Sequence, residues 1–208
     1  RKRITLEYGE CFSYFNYIGY LPIYFLEINL EEKSMSTSLS AISIITVVYN
    51  NRDCIESAIK SVLCQTYKDI EYIIVDGGST DGTLDIIRSY GTKISKLVSE
   101  RDGGIYDAMN KGIKMASGDI VGILNSDDSY ANDSVIESVV SVLKDKNIDA
   151  CYGDLVYVDR RRTDRIVRYW KARAYQEYLF STGWMPPHPT FFAKRWVYEK
   201  YGDFDLAL

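Results

Sequence analysis

The chain has 208 residues, 46% hydrophobic and 26% charged, enough for one substantial core and, by default, one domain. A formal net charge of −4 supplies no basic field for nucleic acid, so an anionic ligand would need a cation, helix N-termini or local Arg and Lys groups. Cys11, Cys54, Cys64 and Cys151 are scattered without metal-ligand spacing and read as reduced packing residues of a cytosolic protein.

Residues 1–40 do not share the pattern of the rest. They open on Arg1-Lys2-Arg3, pass through an aromatic segment from Phe12 to Phe25 and end in Glu31-Glu32-Lys33-Ser34. Position 1 is not Met, and Met35, followed by a Ser/Thr stretch, looks like a natural start. The aromatic segment is short, polar and interrupted by Pro22, which argues against a transmembrane span. Glu7 and Glu10, with no small-residue cleavage site after them, argue against a signal peptide. The expectation is an accessory extension packed loosely on a domain of residues 41–208, with a membrane-surface anchor as the minority reading.

From Ile42 onward strand and helix alternate. Ile42 to Val48 is an unbroken apolar run, as for a strand buried on both faces. Asp53-x-x-Glu56 reads as a capping box for a helix carrying Ile55, Ala58, Ile59, Val62 and Leu63. Tyr72 to Val75 is the second strand, and a helix begun by Leu84, Ile87 and Arg88 is stopped by Gly91. Lys96 to Ser99 forms a third strand, Ile105, Ala108, Met109 and Ile113 mark a helix, and Ile120 to Leu124 is the fourth strand. Ser134-x-x-Glu137 reads as the cap of a helix carrying Val135, Val139 and Val142. Such alternation predicts an α/β fold with a mostly parallel sheet flanked by helices. Past Asp149 the pattern changes: Ala150 to Asp159 and Ile166 to Trp170, around Arg160-Arg161-Arg162-Thr163-Asp164, predict an appended antiparallel hairpin with a solvated tip.

Chemistry concentrates where strands end. Gly118 to Leu124 runs into Asn125-Ser126-Asp127-Asp128, and two acids at the carboxyl edge of a parallel sheet can share a hard divalent ion such as Mg²⁺ or Mn²⁺. The bland alternative makes one a helix cap and leaves the other solvated. Upstream, Val75-Asp76-Gly77-Gly78-Ser79-Thr80-Asp81-Gly82-Thr83 is another acidic strand end, whose glycines let backbone approach a ligand and whose Asp76 can accept from a base or ribose. Thr80 or Asp81 can cap the helix that follows. A plain strand–turn–helix connection would use the same residues. Glu100-Arg101-Asp102-Gly103-Gly104 opens onto the same edge, with Asp102 either facing the ligand or capping a helix. His188, the single histidine, stands among Pro186, Pro187 and Pro189 in a stiff loop that fixes its direction.

Five motifs together carry a resemblance. They are Thr46-Val47-Val48-Tyr49-Asn50-Asn51, Ser61-Val62-Leu63-Cys64-Gln65-Thr66-Tyr67, the Asp76 loop, Ala108-Met109-Asn110-Lys111-Gly112, and Asn125-Ser126-Asp127-Asp128. In order and spacing, across roughly residues 42 to 205, the chain resembles family 2 glycosyltransferases of the GT-A (nucleotide-diphospho-sugar transferase) fold, of the bacterial polysaccharide-biosynthesis type. The resemblance implies a nucleotide-diphospho-sugar donor lying across the strand ends, with Asp76 at the nucleoside and Val47, Tyr49 and Asp102 near the nucleotide. It matches Asp127 and Asp128 to the Asp-x-Asp-type motif that binds the diphosphate metal, Mn²⁺ or Mg²⁺, and sets His188 in the loop lining the donor and acceptor cleft. Asn125 stands where the family often has Asp, and Asp76-Gly77 where many members carry two acids.

The implied activity is metal-dependent transfer of a hexosyl group to a saccharide or lipid-linked acceptor in cell-surface polysaccharide or lipopolysaccharide synthesis. It would take place in the cytoplasm or peripherally at the inner face of the membrane. Residues 41–149 would bind the donor and residues 150–208 would serve the acceptor side. The resemblance sets the general base shortly after Gly202-Asp203-Phe204-Asp205, so the expectation is that a chain ending at Leu208 lacks it. A non-catalytic nucleotide-sugar-binding module is the alternative. A sugar nucleotidyltransferase ranks below it, because Tyr49-Asn50-Asn51-Arg52 is not a Gly-rich phosphate loop.

Overall fold

A computed structural model describes residues 14–26, 41–160, 162–176 and 178–207, and within 14–26 the backbone and the Tyr24 side chain. Arg1 to Arg3, Cys11, Glu31 to Ser34, Met35 and Arg161 lie outside the described residues. A single mixed sheet organises the chain, built from β1 (Tyr14–Leu26), β2 (Ile42–Val48), β3 (Ile70–Asp76), β4 (Lys96–Ser99), β5 (Ile120–Asn125), β6 (Asp128–Tyr130), β7 (Ala150–Asp159), β8 (Ile166–Trp170) and β9 (Phe192–Lys194). The order across it is β4-β3-β2-β5-β9-β7-β1-β6, with β8 also pairing β7.

The half made by β4, β3, β2 and β5 is all parallel. Every residue of β2 is buried, because helices cover both faces of this half. On one face, Ile42, Ile44 and Val48 pack with Ile55, Ile59 and Val62 of α1 (Ile55–Leu63), Ile87 of α2 (Thr83–Ser89) and Ile136, Val139 and Val140 of α4 (Val135–Leu143). On the other face, Ile45 and Val47 pack with Ala108, Met109 and Ile113 of α3 (Ile105–Met115). Two short helices, α5 (Tyr178–Ser181) and α6 (Arg195–Tyr201), follow the hairpin β7–β8. Among the described residues no helix is long and apolar enough to cross a membrane.

Close approach of α3 to β2 depends on Gly112, where an added Cβ would lie 2.3 Å from Ile45 Cγ2. Ile45 is fully buried and cannot give way. Gly112→Ala is therefore expected to destabilise the fold by about 1–3 kcal/mol through overpacking, more than the roughly 1 kcal/mol alanine gains in helix propensity. A urea midpoint at or above that of the parent would refute this.

The parallel half and the hairpin match the expectation, with β7 and β8 antiparallel. Three strands had no announcement in the periodicity. Residues 14–26 enter the sheet between β7 and β6, while β6 and β9 are three-residue strands too short to show a period. Neither predicted capping box forms. Asp53 instead pairs with Arg160 at 3.1 Å and Glu56 with Lys60 at 3.0 Å. Ser134 bonds Asn132 Oδ1 at 2.9 Å, and Glu137 accepts from Thr66 at 2.9 Å. Asp53 and Glu137 are taken by partners distant in sequence, Arg160 and Thr66, and Glu56 and Ser134 by near neighbours, Lys60 and Asn132, rather than by the backbone amides of a capping box. Cys54 and Cys151 are buried as packing residues, whereas Cys64 is exposed.

Candidate functional site

At the carboxyl edge of the parallel strands four loops are bonded into one rim. The loop after β2 turns at Asn50, a non-glycine residue at φ +47°, which asparagine tolerates through local side-chain bonding. Asn50 Oδ1 accepts from Thr80 N at 2.9 Å, and its own N–H donates to Ser79 Oγ at 2.8 Å. The Asn51 and Arg52 amides donate to Thr83 Oγ1 and Asp81 Oδ2, both at 3.0 Å. Asp81 also accepts from Thr83 N at 3.0 Å, but the cap position of α2 is Gly82, with no side-chain cap bond, and not Thr80 or Asp81 as expected. Asn51 Nδ2 then reaches Ser126 Oγ at 2.8 Å, joining the rim to the turn between β5 and β6.

Asp76 is fully buried at the end of β3. Its oxygens accept from Ser79 N at 3.1 Å, Ser79 Oγ at 2.5 Å and Ser99 Oγ at 2.6 Å. These bonds fold the glycine loop back over the strand end. Glu100 N donates to Asp76 O at 3.0 Å, so the fourth loop, residues 100–104, is hung from the same residue. Lys111 braces that loop from α3, pairing with Glu100 at 2.9 Å and Asp107 at 3.3 Å, and these carboxylates raise its pKa. Asp102 Oδ1 accepts from Gly104 N at 3.0 Å, while Oδ2 lies over Gly77. Tyr49 is 64% exposed beside them, and Val47 is buried in the core beneath.

The acids after β5 separate in role. The chain reverses at Ser126 and Asp127, which leaves Asp127 exposed and Asp128 fully buried at the start of β6. Asn125 Nδ2 donates to Asp128 Oδ2 at 3.1 Å. Asn125 Oδ1 is buried and has no hydrogen-bond partner among the described residues. The protein crowded around Asp127 raises its carboxyl pKa by desolvation.

His188 stands on the turn His188–Thr190 as an exposed residue, and desolvation of its ring lowers its pKa and keeps it neutral at pH 7. Thr190 Oγ1 ties this turn to β7 by donating to Gly153 O at 2.9 Å. The ring of His188 meets that of Phe204 edge-on at 5.6 Å, and Phe204 lies 5.5 Å from Tyr106 of α3. Asn110, buried in α3, clamps the Phe204 backbone with two hydrogen bonds of 2.8 Å, one donated by Nδ2 and one accepted by Oδ1. Asn110 had no predicted role; its signal was a polar side chain on the apolar stripe between Met109 and Ile113. Among the described residues no group of three or more His, Cys, Asp or Glu converges.

The family model for glycosyl transferase family 2 matches residues 43–204, the span that builds the rim, the Asp127 turn and the Phe204 clamp. The chain belongs to glycosyl transferase family 2. A relative from Mycobacterium tuberculosis, described as an uncharacterized glycosyltransferase, is 32% identical over 176 residues, 82% of this chain and 64% of the relative. A PGL/p-HBAD biosynthesis glycosyltransferase of Mycobacterium bovis is 36% identical over 118 residues, 55% of this chain and 46% of the relative. The chain thus spans less than two thirds of the length of either. The mannosyltransferase PcManGT from Pyrobaculum calidifontis, solved in complex with GDP-Man and Mn²⁺, aligns with a TM-score of 0.61 at 22% identity, covering 81% of this chain and 48% of that one. That likeness shows a shared GT-A fold.

Proposed function

We propose that this chain carries the donor site of a glycosyltransferase that binds a nucleotide-diphospho-sugar with a divalent ion, Mn²⁺ or Mg²⁺. The sugar passes to a saccharide or lipid-linked acceptor in cell-surface polysaccharide synthesis, at the cytoplasmic side of the membrane. The observation that carries this reading is the convergence of Tyr49, Gly77, Asp102 and Asp127 on one sheet edge from four bonded loops. Residues 41–149 form the donor half, and residues 150–208, with His188, the acceptor half.

The donor chemistry here fits a divalent ion. Such ions are held by one or two carboxylates and substrate phosphates rather than by a full protein cage. Asp127 is exposed at the turn after β5 and Asn125 Oδ1, two positions earlier, is a buried acceptor with no hydrogen-bond partner among the described residues, so this strand end carries one exposed carboxylate and one unsatisfied oxygen. Asp128 supports them through Asn125. When bound, the metal acts as a Lewis acid that stabilises the departing diphosphate. Asp76 serves the nucleoside through the loop it folds, because its oxygens are engaged by Ser79 and Ser99. Neutral His188 can accept a proton or a hydroxyl hydrogen bond on the acceptor side.

Calorimetric titration of the chain with nucleoside diphosphates, with Mn²⁺ and then with EDTA, tests the site. Hydrolysis of the matching nucleotide-sugars by the same preparation tests the chemistry. The expected result is binding that weakens at least about tenfold on metal removal, together with release of nucleoside diphosphate. Failure of every nucleoside diphosphate to bind in Mn²⁺ would overturn the reading, and binding without turnover would favour a binding module.

A further inference from the structure

The hairpin β7–β8 and the segment after it carry a charge opposite to that of the chain. Residues 159–185 hold seven basic side chains against three acidic ones, a local charge of +4 in a chain of net −4. β8 is a free edge: among the described residues it pairs only with β7, and none of its residues is fully buried. Arg168 lies over the rings of Tyr157 and Trp170, at 5.4 and 5.8 Å, and Arg173 over that of Trp184 at 5.6 Å. Ion pairs near the tip, Arg162 with Asp164 at 3.5 Å and Arg165 with Asp159 at 4.0 Å, offset only part of the charge. Apolar side chains stand in water among these cations. Ile166, Val167 and Tyr169 on β8, Tyr178 and Phe180 on α5, and Met185 after it are each 46–63% exposed. Bonding between the two elements makes this one surface. The Tyr169 hydroxyl donates to Asp154 of β7, which also accepts from Ala172 N at 2.7 Å. Tyr152, on the same strand, donates to Arg173 O at 2.8 Å and meets Trp184 edge-on at 5.9 Å, and Trp184 lies 6.2 Å from Phe180.

Exposed aromatic and aliphatic side chains interleaved with Arg and Lys suit the interface of an anionic bilayer. The apolar groups enter the headgroup region, while guanidinium and ammonium groups stay at the phosphates. A soluble polyanion would meet the charge but leave the apolar side chains in water. We propose that β8, α5 and the loop after it form a surface that docks against an anionic lipid membrane. This surface adjoins the donor rim. β9 is antiparallel to both β5 and β7, so β7 ends at the same sheet edge as β5. Arg160, at the hairpin tip, pairs with Asp53 of the loop after β2 at 3.1 Å. Docking there brings the rim to the lipid surface, where a lipid-linked acceptor is met. The inference rests on that part of the reading above and names the surface that serves it.

The test is co-sedimentation of the whole chain with vesicles of phosphatidylcholine alone and of phosphatidylcholine mixed equally with phosphatidylglycerol. The parent is compared with Arg168→Gln/Lys171→Gln/Arg173→Gln, which removes charge, and with Tyr178→Ser/Met185→Ser, which removes exposed apolar surface. Thermal melts establish that both variants are folded. The parent is expected to bind the anionic vesicles at least about tenfold more tightly than the neutral ones, and less tightly as salt is raised. The charge variant should lose about tenfold or more on anionic vesicles. The apolar variant should lose about fivefold or more there, yet keep the parent's affinity for heparin, a soluble polyanion. Nucleoside diphosphate affinity, measured by calorimetry on the same preparations, should stay at the parent level in both variants. Equal binding to the two vesicle types, or binding to neither, would overturn the inference, and retained nucleoside diphosphate binding would leave the donor-site reading standing. Parent-like vesicle binding by the apolar variant would overturn it in favour of a soluble polyanion. A lipid-free dimer in sedimentation velocity that the charge variant dissociates would give this face to a second copy of the chain instead.

Discussion

Asp127→Asn is expected to remove the metal-dependent part of nucleoside diphosphate affinity, at least about tenfold in Mn²⁺, without lowering thermal stability. The carboxylate is exposed at the turn between β5 and β6, so neutralising it leaves no cavity, and relieving a desolvated charge costs the fold nothing. Asp128→Ala should do the reverse. Asp128 is fully buried and bonded to Asn125, so its truncation strands a buried amide donor and lowers stability by about 1–3 kcal/mol. Calorimetry with and without EDTA and urea unfolding of both variants check the two halves. Unchanged Mn²⁺-dependent affinity in Asp127→Asn would move the metal elsewhere.

Glu71→Gln should cost about 3 kcal/mol of folding stability at pH 7, at the sheet edge opposite the site. Glu71 starts β3 and gathers the starts of its neighbours. Its oxygens meet Lys96 Nζ at 2.6 Å, Ser43 Oγ at 2.5 Å, and Ser117 N and Oγ both at 2.7 Å. Burial alone would push its pKa up, yet Lys96 and the serine donors outweigh it and bring the carboxyl from 4.5 down to about 2. A depressed pKa means that the folded state favours the ionised form. The stabilisation is therefore complete above pH 4.5 and is lost as pH falls toward 2. The stability gap between parent and variant should accordingly shrink as pH drops through this window. A gap independent of pH would show that the ionised form of Glu71 contributes nothing.

Much of this architecture is written in local periodicity. Ile42 to Val48 could be read as a strand buried on both faces because a parallel strand under two helix layers has no polar side. The acids at 76, 102, 127 and 128 could be placed at one edge because every parallel strand delivers its carboxyl end there. Capping failed as a reading at Asp53, because Arg160 lies 107 positions away, and at Ser134, because Asn132 two residues earlier takes its hydroxyl.

The sequence by itself determined the fold class, the family and the set of strand-end acids, all of which follow from patterns repeated within a few residues. Only the tertiary structure decided how those acids divide. Asp76 and Asp128 turned inward to Ser79, Ser99 and Asn125, while Asp127 stayed exposed and Asp102 half-buried over Gly77. It likewise joined Asn110 to Phe204 across 94 positions of chain. Hydrogen bonds and steric gaps of this kind depend on distances between separate loops, and no period within one segment encodes them.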